Sequence, residues 1–169
     1  MRKKNLKKPF FSIITVVKND QSNIQKTIKC IIAQSYTNFE YIIIDGKSED
    51  NTIKKINVYK KKISHILSER DDGIYFAMNK GIKLAKGNIL LFVNSGDIIT
   101  KKALSIVHDL FIKNNKIDFI FGTVKRHYTT STIIKSGYKK KRLSYNFDFA
   151  TSHSTGFFIK LASLKKVGK

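Results

Sequence analysis

Four clusters of polar and acidic residues each follow a short apolar run, and their side chains could bind a cation or a polar ligand. The clusters occupy residues 18–19, 45–52, 69–73 and 94–97. The preceding runs, such as Phe11–Val17, are rich in β-branched residues and are typical of buried strands. Ligands of open parallel sheets bind beyond the carboxyl ends of the strands. We therefore predict one ligand site, built where these four strands end.

Two aspartates in these clusters could have either a binding role or a local structural role. Asp97 lies just past an apolar run, where its carboxylate could hold a divalent cation with open positions for other oxygens. It could equally cap the helix that we predict near Lys101. Asp45 begins a polar loop, where an Asx turn is the structural alternative to ligand binding. The residue types alone leave both alternatives open.

The elements that must position these clusters alternate along the chain. Apolar runs predict strands at 11–17, 39–44, 63–67, 89–93 and 119–124, with a late strand at 157–159. Helical spacing of apolar residues predicts helices at 24–34, 52–59, 74–85, 101–113 and 161–167, and residues 129–132 could turn a hairpin. This alternation predicts an α/β fold with a mostly parallel sheet flanked by helices. We expect a basic tail at residues 1–9 and one domain at 10–169.

The charge of the chain bears on its partners. The net charge is +21, and only four of the 33 basic residues are Arg. Lysine gives a diffuse positive field that suits solvated faces or peripheral contact with an anionic membrane, whereas base readout favours Arg. We therefore expect no nucleic-acid partner. The chain has no secretory signal and no apolar stretch of about 20 residues, and its single Cys30 fits a reducing compartment. These features predict a cytoplasmic protein, in peripheral contact with the inner face of the membrane if its lysines bind lipid.

Three motifs give the chain a resemblance to a known family. They are Asp45-Gly46-x-Ser48-x-Asp50-x-Thr52, then Ser68-Glu69-x-Asp71-x-Gly73-Ile74-Tyr75-x-Ala77-Met78-Asn79-Lys80-Gly81, then Asn94-Ser95-Gly96-Asp97. Over residues 11–168 the chain resembles family 2 glycosyltransferases with the GT-A fold, of the bacterial surface-glycan type. The resemblance implies transfer of a hexose from a nucleotide sugar, and we expect this donor to be a UDP-sugar. It also implies a surface-glycan or lipid-linked acceptor and an inverting reaction assisted by Mn²⁺ or Mg²⁺.

The resemblance also assigns roles to individual residues. Asp97 corresponds to the metal ligand, and Asp45 to the aspartate that accepts a hydrogen bond from the nucleotide base. The nucleotide-sugar-binding residues that it implies are Val16, Lys18, Asn19, Asp45, Asp72, Asn79, Ser95 and Gly96. Up to residue 97, the chain departs from the family pattern at three positions. Gly96 replaces an acidic residue linked to the ribose, Lys18 replaces a frequent aromatic residue, and Phe76 replaces a frequent aspartate.

The acceptor side of the predicted site is less complete. Residues 151–154 resemble a motif in which His is followed by Gln, so His153 could approach the diphosphate or the acceptor, although Ser154 replaces the Gln. A structural role for His153 is the alternative. The resemblance places the general base downstream, beyond Lys169, and no carboxylate follows Asp148. We therefore expect either part of a longer enzyme or a catalytically impaired protein that binds a nucleotide sugar or glycan. These 169 residues alone should transfer little sugar.

Overall fold

The computed structural model describes residues 8–127, 132–135 and 155–167. The strands are β1 (Phe11–Val17), β2 (Phe39–Asp45), β3 (His65–Ser68), β4 (Ile89–Phe92), β5 (Phe119–Phe121), β6 (Val124–His127), β7 (Thr132–Lys135) and β8 (Phe157–Lys160). The helices are α1 (Ile24–Ile32), α2 (Thr52–Asn57), α3 (Ile74–Leu84), α4 (Ala103–Lys113) and α5 (Leu161–Val167), with a 3₁₀ turn at Lys60–Lys62.

One six-stranded sheet organises the domain, in the order β3-β2-β1-β4-β8-β5. The central strand β1 pairs in parallel with β2 and β4, and β2 pairs in parallel with β3. The late strand β8 runs antiparallel to both β4 and β5. This arrangement confirms the predicted α/β fold with a mostly parallel sheet. It also sets the carboxyl ends of β1, β2, β3 and β4 along one rim.

Alternate residues of the sheet supply two apolar layers. On one face Ile13 packs with Ile24 and Ile28 of α1 and with Leu104 of α4. On the other face Ile14 and Val16 pack with α3 and α5. Every residue of β1 is buried, as expected for a strand covered on both sides. The rim that carries the polar clusters is therefore attached to a rigid, fully covered strand.

Helix α3 lies unusually close to the sheet. A Cβ atom at Gly81 would lie 2.6 Å from Cγ2 of Ile14, which is too close for a side chain. Glycine at this position lets the helix approach β1. The close approach matters for function, because the first turn of α3 borders the rim of the sheet.

Two sequence predictions need correction, and a third is confirmed. The helix predicted at 52–59 ends at Asn57 and is followed by the 3₁₀ turn, since Asn57 and Val58 are weak helix formers. The strand predicted at 119–124 is two strands, separated where the N–H of Gly122 donates to Gly156 O at 2.7 Å. The hairpin predicted around 129–132 is confirmed by the antiparallel pairing of β6 with β7, although residues 128–131 lie outside the described part. Among the described residues, no helix has the length and apolar character needed to cross a membrane.

Candidate functional site

A cavity of about 420 Å³ opens at the rim of the sheet, beyond the carboxyl end of β1. Its lining residues are Val16, Val17, Lys18, Gly46, Asp71, Asp72, Gly73, Ile74 and Ala77. They come from the end of β1, the loop after β2, the loop after β3 and the first turn of α3. The cavity thus combines apolar walls with one ammonium group and two carboxylates, a composition that suits a small polar ligand with a flat apolar part.

The structure brings three of the predicted binding residues to this cavity. Val16 and Lys18 reach it from β1, and Asp72 reaches it from the loop after β3. Their placement agrees with the sequence prediction, while their part in binding stays a prediction. Asp71, which lines the same cavity, was not assigned a role from sequence. The only signal for it was its fixed place in the second motif.

Asp45 bonds to its own loop, as in the structural alternative, and its predicted hydrogen bond with the nucleotide base stays a prediction. It is fully buried and does not line the cavity among the described residues. One carboxylate oxygen accepts a hydrogen bond from Ser48 Oγ at 2.5 Å. The other accepts hydrogen bonds from the Ser48 N–H at 3.0 Å and from Ser68 Oγ at 2.6 Å. Asp45 therefore shapes its own loop and ties it to the end of β3.

Hydrogen bonds also join the rest of the first motif, in the loop after β2, to the segment that follows β1. Asn19 donates its N–H to Ser48 Oγ and accepts the Glu49 N–H at its Oδ1, both at 2.8 Å. Asp50 accepts the Gln21 N–H at 3.1 Å. Hydrogen bonds from Thr52, and then from the Gln21 backbone, lower the pKa of the Asp50 carboxyl. Predicted site residue Asn19 thus holds the loop after β2 against the end of β1.

Asp71 is held by a cluster on the other side of the cavity. Its side chain is 6% exposed, and its Oδ1 lies 2.6 Å from the Lys80 ammonium. The same ammonium lies 2.6 Å from Glu69 Oε1 and donates to Arg70 O at 3.1 Å. Contact with Asp71 first, and with Glu69 second, raises the pKa of Lys80. Both carboxylate oxygens of Asp71 are buried, and among the described residues neither has a hydrogen-bond partner of good geometry beyond the ion pair at Oδ1.

Asp97 ends a tight turn beyond β4. Its N–H donates to Asn94 O at 2.9 Å, and its carbonyl accepts the Thr27 hydroxyl at 2.9 Å. Its carboxylate is partly exposed and accepts a hydrogen bond from Thr155 Oγ1. Helix α4 begins only at Ala103 and has no side-chain cap. The alternative that Asp97 caps this helix is therefore wrong.

Gly96 and Ser95 shape the same turn. Gly96 has φ +93°, in the left-handed region that favours glycine, which accounts for the absence of an acidic side chain there. Its N–H donates to Thr27 Oγ1 at 3.0 Å, so this N–H is already used. Ser95 Oγ donates to Asp20 Oδ2 at 2.6 Å. Both predicted residues hold the turn in place, and their contact with a nucleotide stays a prediction.

The remaining predicted residues lie elsewhere. Asn79 is exposed on α3 and does not line the cavity in the described part of the chain. His153 lies outside the described residues. Within residues 8–127, 132–135 and 155–167, no three His, Cys, Asp or Glu side chains cluster closely enough to hold a metal by themselves. A cation at Asp97 would thus need ligand oxygens from a bound molecule, which is how Mg²⁺ commonly binds beside phosphates.

Comparison with protein families gives one match over most of the chain. The family described as glycosyl transferase family 2 matches residues 12–168. Among curated relatives, a UDP-Glc:alpha-D-GlcNAc-diphosphoundecaprenol beta-1,3-glucosyltransferase of Escherichia coli is 28% identical over 136 residues. That match covers 80% of this chain and 53% of the relative. Across the relatives compared, the chain spans from 34% to 53% of their lengths.

Solved structures share the fold. S. aureus TarS 1-349 in complex with UDP-GlcNAc has a TM-score of 0.77 at 20% identity, covering 92% of this chain and 46% of that one. A mannosyltransferase from Pyrobaculum calidifontis in complex with GDP-Man and Mn²⁺ has a TM-score of 0.72 at 16% identity. This second match covers 95% of this chain and 47% of that one. At these identities the structures establish the fold alone.

Proposed function

The chain belongs to glycosyl transferase family 2, and from that premise we propose that it binds a UDP-sugar and supports transfer of the hexose to a surface-glycan or lipid-linked acceptor. The family match agrees with the resemblance drawn from the motifs. The E. coli relative is named for a UDP-Glc donor and a diphosphoundecaprenol-linked acceptor, and TarS is described with UDP-GlcNAc. These names support the choice of donor and acceptor class for this chain.

The observation that carries the proposal is the cavity at the end of β1. Its volume of about 420 Å³ suits a nucleoside, and its walls offer Val16 and Ala77 as apolar surface. Lys18 and the two carboxylates at Asp71 and Asp72 offer polar partners at its edge. A ligand whose base sits here would extend its diphosphate along the rim, toward the turn after β4 that carries Asp97. The order of strands β2, β1 and β4 across the sheet supports this direction.

Asp97 would hold a divalent cation that neutralises the charge of the leaving diphosphate. Its partly exposed carboxylate lies beyond β4, and backbone contacts with Thr27 and Asn94 fix the turn that presents it. A single carboxylate is a sufficient protein contribution for Mg²⁺ or Mn²⁺ when phosphate oxygens and water complete the coordination. Binding of the cation could break the hydrogen bond between Thr155 and the Asp97 carboxylate. Alternatively, Thr155 would orient the carboxylate through one oxygen while the other oxygen binds the cation.

Transfer would proceed by displacement at the anomeric carbon. The acceptor hydroxyl oxygen forms a bond to that carbon as the bond to the diphosphate oxygen breaks. The electron pair leaves with the diphosphate, and the hydroxyl proton passes to a general base. A single displacement of this kind inverts the anomeric configuration. Among the described residues we assign no base, so the chain's own contribution to this step is to bind the donor and to stabilise the leaving group.

Calorimetry with UDP, GDP and CDP, each with Mn²⁺ and with a chelator, tests the proposal. We expect UDP to bind most tightly and its affinity to fall when the cation is removed. Asp97→Ala should abolish that dependence on the cation and leave the melting temperature close to that of the unaltered protein, because Asp97 caps no helix. If none of the three nucleotides binds, the proposed function is wrong. Cation dependence that persists in Asp97→Ala would remove the metal role from this residue.

A further inference from the structure

The start of β8 meets the turn after β4 at the rim of the sheet. The two strands are antiparallel neighbours and Leu91 pairs with Phe158, so the chain enters β8 at the same edge where it leaves β4. Thr155 precedes Phe158 by three residues and therefore reaches the turn that carries Asp97. Its Oγ1 donates a hydrogen bond to Asp97 Oδ2. A residue distant in the sequence thus contacts the predicted cation ligand.

The backbone next to Thr155 is held by a tight turn. Gly156 has φ +92°, in the left-handed region, and its carbonyl accepts the Gly122 N–H at 2.7 Å. A Cβ atom built on Gly156 would lie 3.0 Å from Cγ2 of Val124, so a side chain there would crowd the start of β6. Glycine permits this turn directly before β8. The turn fixes the backbone from which the Thr155 hydroxyl reaches Asp97.

Thr155 contacts the carboxylate of Asp97 and not its backbone. The backbone has other partners, since the Asp97 N–H donates to Asn94 O and the Asp97 carbonyl accepts the Thr27 hydroxyl, both at 2.9 Å. Within the described ranges, Thr155 is the one hydrogen-bond donor to the carboxylate, and it engages Oδ2 alone. The turn would therefore keep its shape without Thr155, whereas the direction of the carboxylate depends on it.

We propose that Thr155 is a positioning residue for the cation, because its hydroxyl holds Asp97 Oδ2 and leaves Oδ1 to bind the metal ion. This inference rests on the proposed function, since it takes Asp97 as the cation ligand. The hydrogen bond then persists when the cation binds. An ionised carboxylate can only accept, so a donor on one oxygen is compatible with a cation on the other. Loss of such a partner of a metal ligand typically costs about 10–100-fold in metal affinity.

The proposal gives the antiparallel strand β8 a part in the site. Strands β1 to β4 and their loops carry the predicted donor residues up to Asp97, but they lack the hydroxyl that orients its carboxylate. The place of β8 between β4 and β5 brings Thr155 back to the rim. The late segment of the chain therefore contributes to cation binding before any acceptor is present.

Thr155→Val tests the inference, because it removes the hydroxyl and keeps the branched shape of the side chain. We expect the complex of the protein with UDP to bind Mn²⁺ about tenfold more weakly, or worse. Affinity for UDP in a chelator should stay unchanged, because no cation then needs an oriented carboxylate. Electron paramagnetic resonance of free Mn²⁺ measures the first affinity, and calorimetry measures the second.

Thr155→Ser is the matched variant, since it keeps the hydroxyl, and it should bind Mn²⁺ nearly as tightly as the unaltered protein. Thr100→Val makes the same change as Thr155→Val at an exposed residue and should leave both affinities unchanged. Added to Asp97→Ala, Thr155→Val should cause no further loss of UDP affinity in Mn²⁺, because it acts only through the Asp97 carboxylate. A residue that served only the stability of the fold would lower the melting temperature and leave Mn²⁺ affinity unchanged.

The possible outcomes separate this inference from the proposed function. Cation-dependent UDP binding with an unchanged Mn²⁺ affinity in Thr155→Val, or an equal loss in Thr155→Ser, would overturn the role of Thr155 and leave the proposed function standing. UDP binding that does not depend on Mn²⁺ in the unaltered protein would overturn this inference and the cation role of Asp97, but not donor binding. Failure to bind any nucleotide would overturn both. If Thr155→Val does not fold, Thr155→Ala removes the same hydroxyl and decides the question.

Discussion

The loops after β2 and β3 lie side by side at the rim of the sheet, and both are acidic, but they use their carboxylates in opposite ways. In the loop after β2, Asp45 and Asp50 accept hydrogen bonds from the chain itself. In the loop after β3, Asp71 lines the cavity and pairs with Lys80, and among the described residues neither of its buried oxygens has a hydrogen-bond partner beyond that ion pair. The first loop is therefore built by its acidic residues, whereas the second places one of them in the wall of the cavity.

This difference separates two meanings of a motif. A residue type can recur at a position because the loop needs it or because the ligand needs it. The sequence alone does not distinguish these two causes. The hydrogen-bond partners help to distinguish them, since Asp45 already accepts three hydrogen bonds from the protein, out of the about four that a carboxylate can accept. The comparison predicts that changes in the loop after β2 mainly alter stability, and changes in the loop after β3 mainly alter binding.

The largest expected effect on stability belongs to Asp45→Ala. The change leaves the Ser48 N–H and the hydroxyls of Ser48 and Ser68 without their buried acceptor. We expect the free energy of unfolding to fall by about 3 kcal/mol, because several hydrogen bonds to one buried charged group are lost together. Urea denaturation followed by circular dichroism measures this change.

Asp45→Asn is the matched variant for this prediction. Its amide can accept from the Ser48 N–H through its oxygen and donate to a serine hydroxyl through its NH₂. We therefore expect a loss well below that of Asp45→Ala. A neutral effect of Asp45→Ala on stability, together with a loss of UDP affinity, would reverse the roles that we assign to the two loops.

A smaller effect is expected at Asn19, which joins the end of β1 to the loop after β2. Asn19 has φ +51°, where alanine is strained, and its side chain accepts the Glu49 N–H. Asn19→Ala should lower the free energy of unfolding by about 1–2 kcal/mol. Asn19→Gly removes the same side chain but tolerates this φ, so it should cost less than alanine. Equal losses in the two variants would show that the backbone conformation contributes nothing.

The smallest effect on stability is expected from Asp71→Asn. The variant weakens an ion pair with Lys80, but it also removes a buried charge whose oxygens have no hydrogen-bond partner beyond that ion pair among the described residues. These two changes oppose each other, so we expect the free energy of unfolding to shift by less than about 1 kcal/mol. A loss as large as that of Asp45→Ala, in the same urea experiment, would make Asp71 a structural residue as well.

Much of the fold could be predicted from the sequence, because its patterns are local. The β-branched run at Phe11–Val17 coincides with β1, and the apolar spacing of Ile24, Ile28 and Ile31 places α1 against the sheet. The position of β8 between β4 and β5 could not be predicted in the same way. Strand order depends on pairing between distant segments, and the short run at 157–160 carries no signal for its neighbours.

The site could be predicted only in part. Strand ends and motifs located Val16, Lys18 and Asp72 at one rim, since this follows from topology. Sequence could not show that Asp45 is enclosed by Ser48 and Ser68, or that Lys80 engages only one oxygen of Asp71. Those facts depend on side-chain geometry between segments that are distant in the sequence.

A crystal structure of the protein with UDP and Mn²⁺ tests the central claim most directly. We predict that the uracil ring lies in the cavity beyond β1 and that the cation binds the carboxylate of Asp97. Asp45 should retain its contacts with Ser48 and Ser68. Uracil bound in another place, or a cation bound away from Asp97, would contradict the account.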